Sequence, residues 1–302
     1  MLKIALSFDY DSPTGYRQSF HMRNFPGNAD QEGAEILLKI LGDHGVRATF
    51  GIVGRAALEG TAPEHCPEQI RKIHTAGHEI ASHSMSHLFL PAASDRQLAM
   101  ELVESKNALQ ECTGSSVTGF IPPFNCPTHF PSRGAFSVSE FLGLHGRGRG
   151  RQSIEKMFAA LCVAGYAWAR VVFRPKVEQV LQQLRIIGKP PPLQPFLFHD
   201  IVAIPLHATG FGIPSRALIR QSLGTELVLA IYGHPNQALS ENDQNASKLD
   251  ELIEEFERER AAGELEFITM QEVEEFIRQN RAERARRTSD LNTVPGNARF
   301  IN

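Results

Sequence analysis

Five residues of this chain have types and positions that together could do chemistry. Asp9 and Asp11 close the run "KIALSFDYD", His83 and His87 close "GHEIASHSMSH", and His234 closes "ELVLAIYGH". Each lies where a short apolar run ends. If those runs are parallel strands of one barrel, their C-terminal ends share one rim, where barrel enzymes place their chemistry. Two carboxylates and three imidazoles at one rim can hold a metal ion and still leave a base and an acid. A metal needs an anionic ligand beside two neutral imidazoles, and hydrolysis needs a second carboxylate to take a proton from water. That combination describes a centre for cleaving amides or esters.

Taken singly, these signals are weak. His83 and His87 are four residues apart, a spacing that puts two imidazoles on one side of a helical turn. His74 and His78 repeat that spacing in "HTAGH", and 12 histidines in 302 residues make an accidental pair unsurprising. Context separates the pairs. His83 and His87 follow the alternating run "EIAS" at a strand end, whereas His74 belongs to the preceding helical stretch. A D-x-D is often a surface turn, and a strand-end histidine such as His234 is as readily a buried structural group. The place of Asp9 and Asp11 at the end of the first apolar strand favours function over a surface turn.

The elements that must position these residues are legible as pattern. Ile4, Leu6 and Phe8 share one parity of the first run. The runs "ATFGIV", "EIAS", "TGFIP", "AWARVVF" and "ELVLAIY" are short, rich in β-branched or aromatic residues, and bounded by Gly, Pro or charge, as doubly buried strands are. Helical patterns lie between them. Residues 31–44 carry Ile36, Leu37, Ile40 and Leu41 and end at Gly45. Ser94 has the character of an N-cap for a helix through Leu98, Leu102 and Leu109 that stops near Gly114. Residues 246–262 have Leu249, Ile253 and Phe256 on one face. The end of the pattern is a strand, "EFIT", feeding a helix, "MQEVEEFIRQ". This alternation predicts an α/β barrel or a doubly wound sheet.

Composition agrees. Hydrophobic residues make up 42% and charged residues 22% of the chain, as in ordinary globular proteins, and the net charge of −3 predicts no affinity for nucleic acid. No apolar run approaches the ~18–20 residues of a membrane-spanning helix. The start, "MLKIALSFDYD", runs straight into Asp9 and lacks the form of a signal peptide, so a cytoplasmic protein is expected. Cys66, Cys112, Cys126 and Cys162 are widely spaced without a C-x-x-C pair, which predicts reduced thiols.

Two segments break the pattern. Residues 12–30 are polar with Tyr16, Phe20 and Phe25 interleaved, and are expected as a rim loop shaping the substrate pocket. Residues 126–152 include "LHGRGRGRQ", in which Arg147 and Arg149 suit either an anion clamp for the substrate or a solvated loop. From residue 281 onward the chain is Arg-rich, then polar. A barrel over residues 1–280 with a flexible or interface-bound tail at 281–302 is the expected organisation.

With these residues assembled, the chain resembles the polysaccharide deacetylase (NodB-homology) family of carbohydrate esterases. "LSFDYD" resembles the family's first motif, usually T-F-D-D-G. "GHEIASHSMSH" resembles its H-[ST]-x-x-H motif, "GFIPPFN" its R-x-P-[YF] segment, and "LAIYGHPN" its final histidine motif. The resemblance implies an irregular (β/α) barrel of about seven strands. It implies one divalent metal, zinc above all, on Asp11, His83 and His87, with Asp9 as general base and His234 as general acid. Pro123, Phe124 and Asn125 would form the substrate and oxyanion segment, with the Phe124 amide on the oxyanion. Tyr16, Arg147 and Arg149 would belong to substrate loops.

Two positions depart from the family pattern. Ile121 stands where the third motif carries an arginine that orients the base, and D-x-D replaces D-D. Both point to a divergent intracellular subgroup resembling peptidoglycan deacetylases without a signal peptide and the allantoinase-like branch. The segment "DIVAIPLHATGFG", with His199, Asp200 and His207, resembles that subgroup's substrate-side strand, and homo-oligomers are expected of it. The expected activity is removal of an acetyl group from an N-acetylated amino sugar or glycan precursor. Hydrolysis of a cyclic amide and a non-catalytic sugar-binding barrel stay open beside it.

Overall fold

Parity along the first strand, β1 (Leu2–Tyr10), builds the frame. Leu2, Ile4, Leu6, Phe8 and Tyr10 face outward into the main core against the surrounding helices. Ala5 faces the inside of the sheet, as Ser7 and Asp9 must on the same parity. The small residues suit the narrow interior of a closed sheet. The structure, a computed structural model, describes residues 1–20, 27–125, 152–172 and 192–292.

The remaining strands are β2 (Thr49–Ile52), β3 (Glu79–Ser82), β4 (Gly119–Phe120), β5 (Trp168–Val171), β6 (Phe196–Phe198), β7 (Ile201–Thr209), β8 (Val228–Gly233) and β9 (Leu265–Ile268). Seven of them close a parallel barrel in the order β1-β2-β3-β4-β5-β7-β8, with β8 returning to β1. One edge of β1 is shared. Its last residues, Ser7–Tyr10, pair with β2, and its first, Leu2–Ala5, pair with β9. That sharing makes the barrel irregular, as expected from the resemblance. β6 lies antiparallel on β7. A second, inner core of Ala5, Ala81, Ile121, Trp168, Val202, Ile204, Val228 and Ala230 fills the lumen. Gly119 admits the Trp168 indole, which a Cβ there would overlap.

Helices cover the outside: α1 (Ser12–Phe20), α2 (Ala29–Asp43), α3 (Pro67–Thr75), α4 (Asp95–Thr113), α5 (Ile154–Val163), α6 (Ile213–Ser222), α7 (Ala246–Glu255), α8 (Glu257–Ala261) and α9 (Met270–Asn292). α4 opens on a capping box between Ser94 and Gln97 and ends at Gly114 with φ +69°, as its sequence predicts.

Two expectations change. Residues 12–20 form a helix, not a loop, although their helix propensity is poor. Burial of Thr14 and Tyr16 beneath the rim overrides it. The single helix expected over 246–262 breaks at Phe256, whose backbone leaves helical geometry while its ring is buried. α9 continues past residue 280 to Asn292. Cys66, Cys112 and Cys162 are free thiols. No helix among the described residues is long and apolar enough to cross a membrane.

Candidate active site

The end of β1 and the turn after β3 meet at the C-terminal rim. His83 extends β3 by one step, its N–H bonding the Ile52 carbonyl at 2.8 Å. Ser84 and His87 take left-handed backbone (φ +61° and +57°), so the two histidines converge through a tight loop and not, as their spacing suggests, through a helical turn. Asp11 Oδ1 lies 3.2 Å from His83 Nε2 and 3.4 Å from His87 Nε2. All three side chains are buried, and their ligand atoms lie within 4.8 Å of one another. α1 closes over them. A Cβ on Gly15 would come within 2.8 Å of Asp11 Cβ and 3.2 Å of the His87 ring.

Electrostatics decide what this trio holds. His83 Nδ1 donates to the Ile121 carbonyl at 2.7 Å, so a neutral ring presents the Nε2 lone pair to the centre. Facing it, Asp11 Oδ1 is buried and has no hydrogen-bond donor among the described residues. Two acceptors that close require positive charge between them. Burial pushes the His83 pKa down, but the adjacent Asp11 and Asp9 outweigh it and raise it. Burial pushes Asp11 up, yet the His87 charge and contacts with both histidines hold it well below the usual range. Burial holds the His87 pKa down. An ionised carboxylate with two imidazole nitrogens suits a divalent metal of the zinc kind, and the residues present fit one.

Asp9, one parity step inward, faces Arg170 of β5. The guanidinium is fully buried and grips both carboxylate oxygens, Nη1 donating to Oδ1 at 2.7 Å and Nη2 to Oδ2. Nη1 also donates to Ser7 Oγ at 3.1 Å and Nη2 to Asn125 Oδ1 at 3.0 Å. The Tyr232 ring lies 4.5 Å from Cζ, a cation–π contact. Burial alone would raise the Asp9 pKa, but Arg170, with His83 and His234, brings it below the ordinary value. Arg170 was missed in the sequence, where "AWARVVF" reads as an apolar strand. Its single charge was the signal, because a buried arginine demands an anion.

His234 follows β8. Its backbone N–H and ring Nδ1 both donate to Gln244 Oε1, at 2.8 and 2.9 Å. The backbone donor identifies that Gln244 atom as the oxygen, so Nδ1 carries hydrogen and Nε2 is the ring nitrogen left for chemistry. Its charge acts on both Asp9 and Asp11. The turn at Pro235 rests on α2, where a methyl group on Gly33 would overlap the Pro235 carbonyl. Neither Gln244 nor Gly33 stood out in the sequence.

Pro123 is buried, and Phe124 and Asn125 both adopt left-handed backbone (φ +58° and +52°). The Phe124 ring packs edge-on against His87 at 4.7 Å. Asn125 spends its side-chain oxygen on Arg170. Tyr16 is buried in α1, and burial with nearby carboxylates pushes its phenol far up. Asp30 is buried at the start of α2, where burial and the Asp11 charge favour its protonated form. Arg147 and Arg149 lie outside the described residues. His207 is structural: Nδ1 accepts from Ala230 N at 2.9 Å and Nε2 donates to the Leu193 carbonyl at 2.8 Å, bridging an irregular β7–β8 register. His199 and Asp200 precede β7, at the opposite end of the barrel from the rim. His74 and His78 likewise lie before β3, away from the trio.

Comparisons with known proteins bear on the family and on the fold. The polysaccharide deacetylase family profile matches residues 3–130. A chitooligosaccharide deacetylase of Sinorhizobium fredii is 32% identical over 89 residues, covering 29% of this chain and 39% of that protein. A peptidoglycan deacetylase of Helicobacter pylori is 27% identical over 127 residues, covering 40% of this chain and 41% of that protein. The chain thus spans about two fifths of the length of these curated relatives. A crystal structure from Mycobacterium smegmatis, assigned to the polysaccharide deacetylases, superposes with a TM-score of 0.63 at 19% identity. It covers 93% of this chain and 91% of that one, a likeness of fold.

Proposed function

We propose that the chain, whose residues 3–130 match the polysaccharide deacetylase family profile, is a zinc-dependent hydrolase that removes the acetyl group from an N-acetylated amino sugar or glycan precursor. The observation that carries this reading is the buried trio of Asp11, His83 and His87 beside a second, ionised carboxylate, Asp9. A divalent ion on the trio supplies Lewis acidity for the scissile carbonyl and for water. Asp9 takes a proton from the attacking water and holds it against the Arg170 fork. The Phe124 amide donates to the oxygen that becomes negative as the carbonyl turns tetrahedral. His234 delivers a proton from Nε2 to the departing nitrogen. Its Nδ1–H bond to Gln244 persists through that transfer, so the ring keeps its aim while its charge changes. The product pair is acetate and a free amine.

The test is acetate release by zinc-loaded protein from a panel of N-acetylated sugars, nucleotide sugars and short glycans, with Asp9→Asn as control. Release that disappears in the control supports the reading. No release from zinc-loaded wild type, with turnover of a cyclic imide or ureide instead, overturns it in favour of cyclic-amide hydrolysis.

A further inference from the structure

We propose that Arg170 is the positioning residue for the base Asp9, and that it does from β5 what the family pattern assigns to an arginine at the position of Ile121 in β4. The proposal rests on the deacetylase reading for Asp9's role as base; the pairing itself stands on geometry.

The two positions are neighbours in the barrel wall. Gly119 pairs with Trp168 and Phe120 with Ala169, so the next step of the same parallel register sets Ile121 beside Arg170. Ile121 and Trp168 both belong to the lumen core. Residue 170 shares the parity of residue 168 and faces the lumen as well. In the same layer β1 contributes Asp9, and its register partner on β2 is Gly51. Gly51 has no side chain to obstruct the layer, and the Ile121 Cδ1 lies 2.9 Å from where its Cβ would be. On its other side Arg170 pairs in register with Ile204 of β7, so in the wall the guanidinium is flanked by two isoleucines, with Asp9 across the lumen. With arginine at 170, isoleucine at 121 occupies the volume that is left.

Arg170 is also held more fully than a simple ion pair requires. Ser7, Asn125 and the Tyr232 ring fix the plane of its fork, and the fork fixes the carboxylate. Through Asn125 the same guanidinium reaches the turn that carries Phe124. One side chain thus sets the base relative to the proposed oxyanion donor. Lysine at 170 would keep the charge and lose the fork.

The experiment compares five zinc-loaded proteins: wild type, Arg170→Met, Arg170→Lys, the exchange Ile121→Arg with Arg170→Met, and Asp9→Asn with Arg170→Met. Zinc content, unfolding temperature and steady-state acetate release are read for each. Arg170→Met should keep zinc, lose about 100-fold in kcat with little change in KM, and melt several degrees lower because Asp9 is left buried and unpaired. Arg170→Lys should fall between wild type and Arg170→Met in kcat. Adding Asp9→Asn to Arg170→Met should restore the unfolding temperature. The exchange should recover about 10-fold in kcat over Arg170→Met. Full kcat in Arg170→Met, or an unfolding temperature that Asp9→Asn does not restore, overturns the proposal. So does a folded exchange protein no faster than Arg170→Met. Should the exchange protein not fold, the Asp9→Asn and Arg170→Lys comparisons decide. A wild type that releases no acetate sinks the deacetylase reading, while the thermal comparison still decides the pairing.

Discussion

The two ends of the barrel bury polar groups in opposite ways. At the N-terminal floor Glu79 Oε2 accepts from Thr49 Oγ1 at 2.6 Å and from Gln271 N at 2.9 Å, while Oε1 accepts from Trp168 Nε1 at 3.0 Å. Thr49 Oγ1 accepts in turn from Met270 N, and His78 Nδ1 from Ala48 N. A cavity of about 420 Å³ opens there, lined among others by Arg47, His74, His78, Glu79 and Glu272. Arg47 pairs with Glu272 and His74 with Ser115. At the rim, the buried hydroxyls of Ser12, Thr14 and Ser84 have no hydrogen-bond partner among the described residues, and Asp11 Oδ1 meets the imidazoles of His83 and His87. Ser12, Ser84, His87, Phe124 and Asn125 take left-handed backbone at that same end, against His199 and Asp200 at the floor. The matched polar groups of the floor hold the fold together. Ser12 and Ser84, buried, unmatched among the described residues and on left-handed backbone, mark the rim as the end built for a ligand, as the proposed function requires.

Mutations can break this comparison, and the largest effects belong at the rim. His83→Ala removes a ligand, so zinc and turnover should both disappear, as metal analysis and acetate release will show. Asp9→Asn should cut turnover by about 10³-fold while zinc stays bound. Near-normal turnover would remove Asp9 from the role of base. Gly33→Ala pushes a methyl group into the Pro235 carbonyl and tilts His234 away. We expect about a 10-fold loss in kcat with zinc content unchanged, and an unchanged kcat would show that the turn tolerates displacement.

The smallest effects belong at the floor, and they sharpen the comparison through pH. Burial raises the Glu79 carboxyl from 4.5 to about 7 despite its three hydrogen bonds. A raised carboxyl contributes stability that is complete below its unfolded value and lost as pH rises through about 7. Burial lowers His78 from 6.5 to about 4, so its contribution runs the other way and is lost as pH falls below 6.5. The rim carboxylates Asp9 and Asp11, both lowered, lose theirs only as pH falls below 3.8. Glu79→Gln should therefore flatten the decline in unfolding temperature between pH 5 and 7, by about a few degrees. Acetate release should not change. A pH dependence identical to wild type would take Glu79 out of this account, and a large loss of activity would dissolve the distinction between the two ends.

What the sequence by itself determined is what short-range rules encode. Parity put Ile4, Leu6 and Phe8 on one face of their strand, Ser94 and Gly114 bounded their helix, and the strand-end positions of Asp11, His83, His87 and His234 marked one rim. Each of those signals is complete within a few residues. Tertiary structure alone decided the pairings across the lumen. Arg170 and Asp9 are separated by 161 residues and meet only when the closed register sets their layer. Gln244 fixes the His234 tautomer from a loop, and burial of Tyr16 makes a helix of a segment with little helical character. Ile121 looked like a lost arginine because a linear motif records which strand a charge comes from. The site requires only that a guanidinium reach the carboxylate, and a closed barrel offers that place from more than one strand.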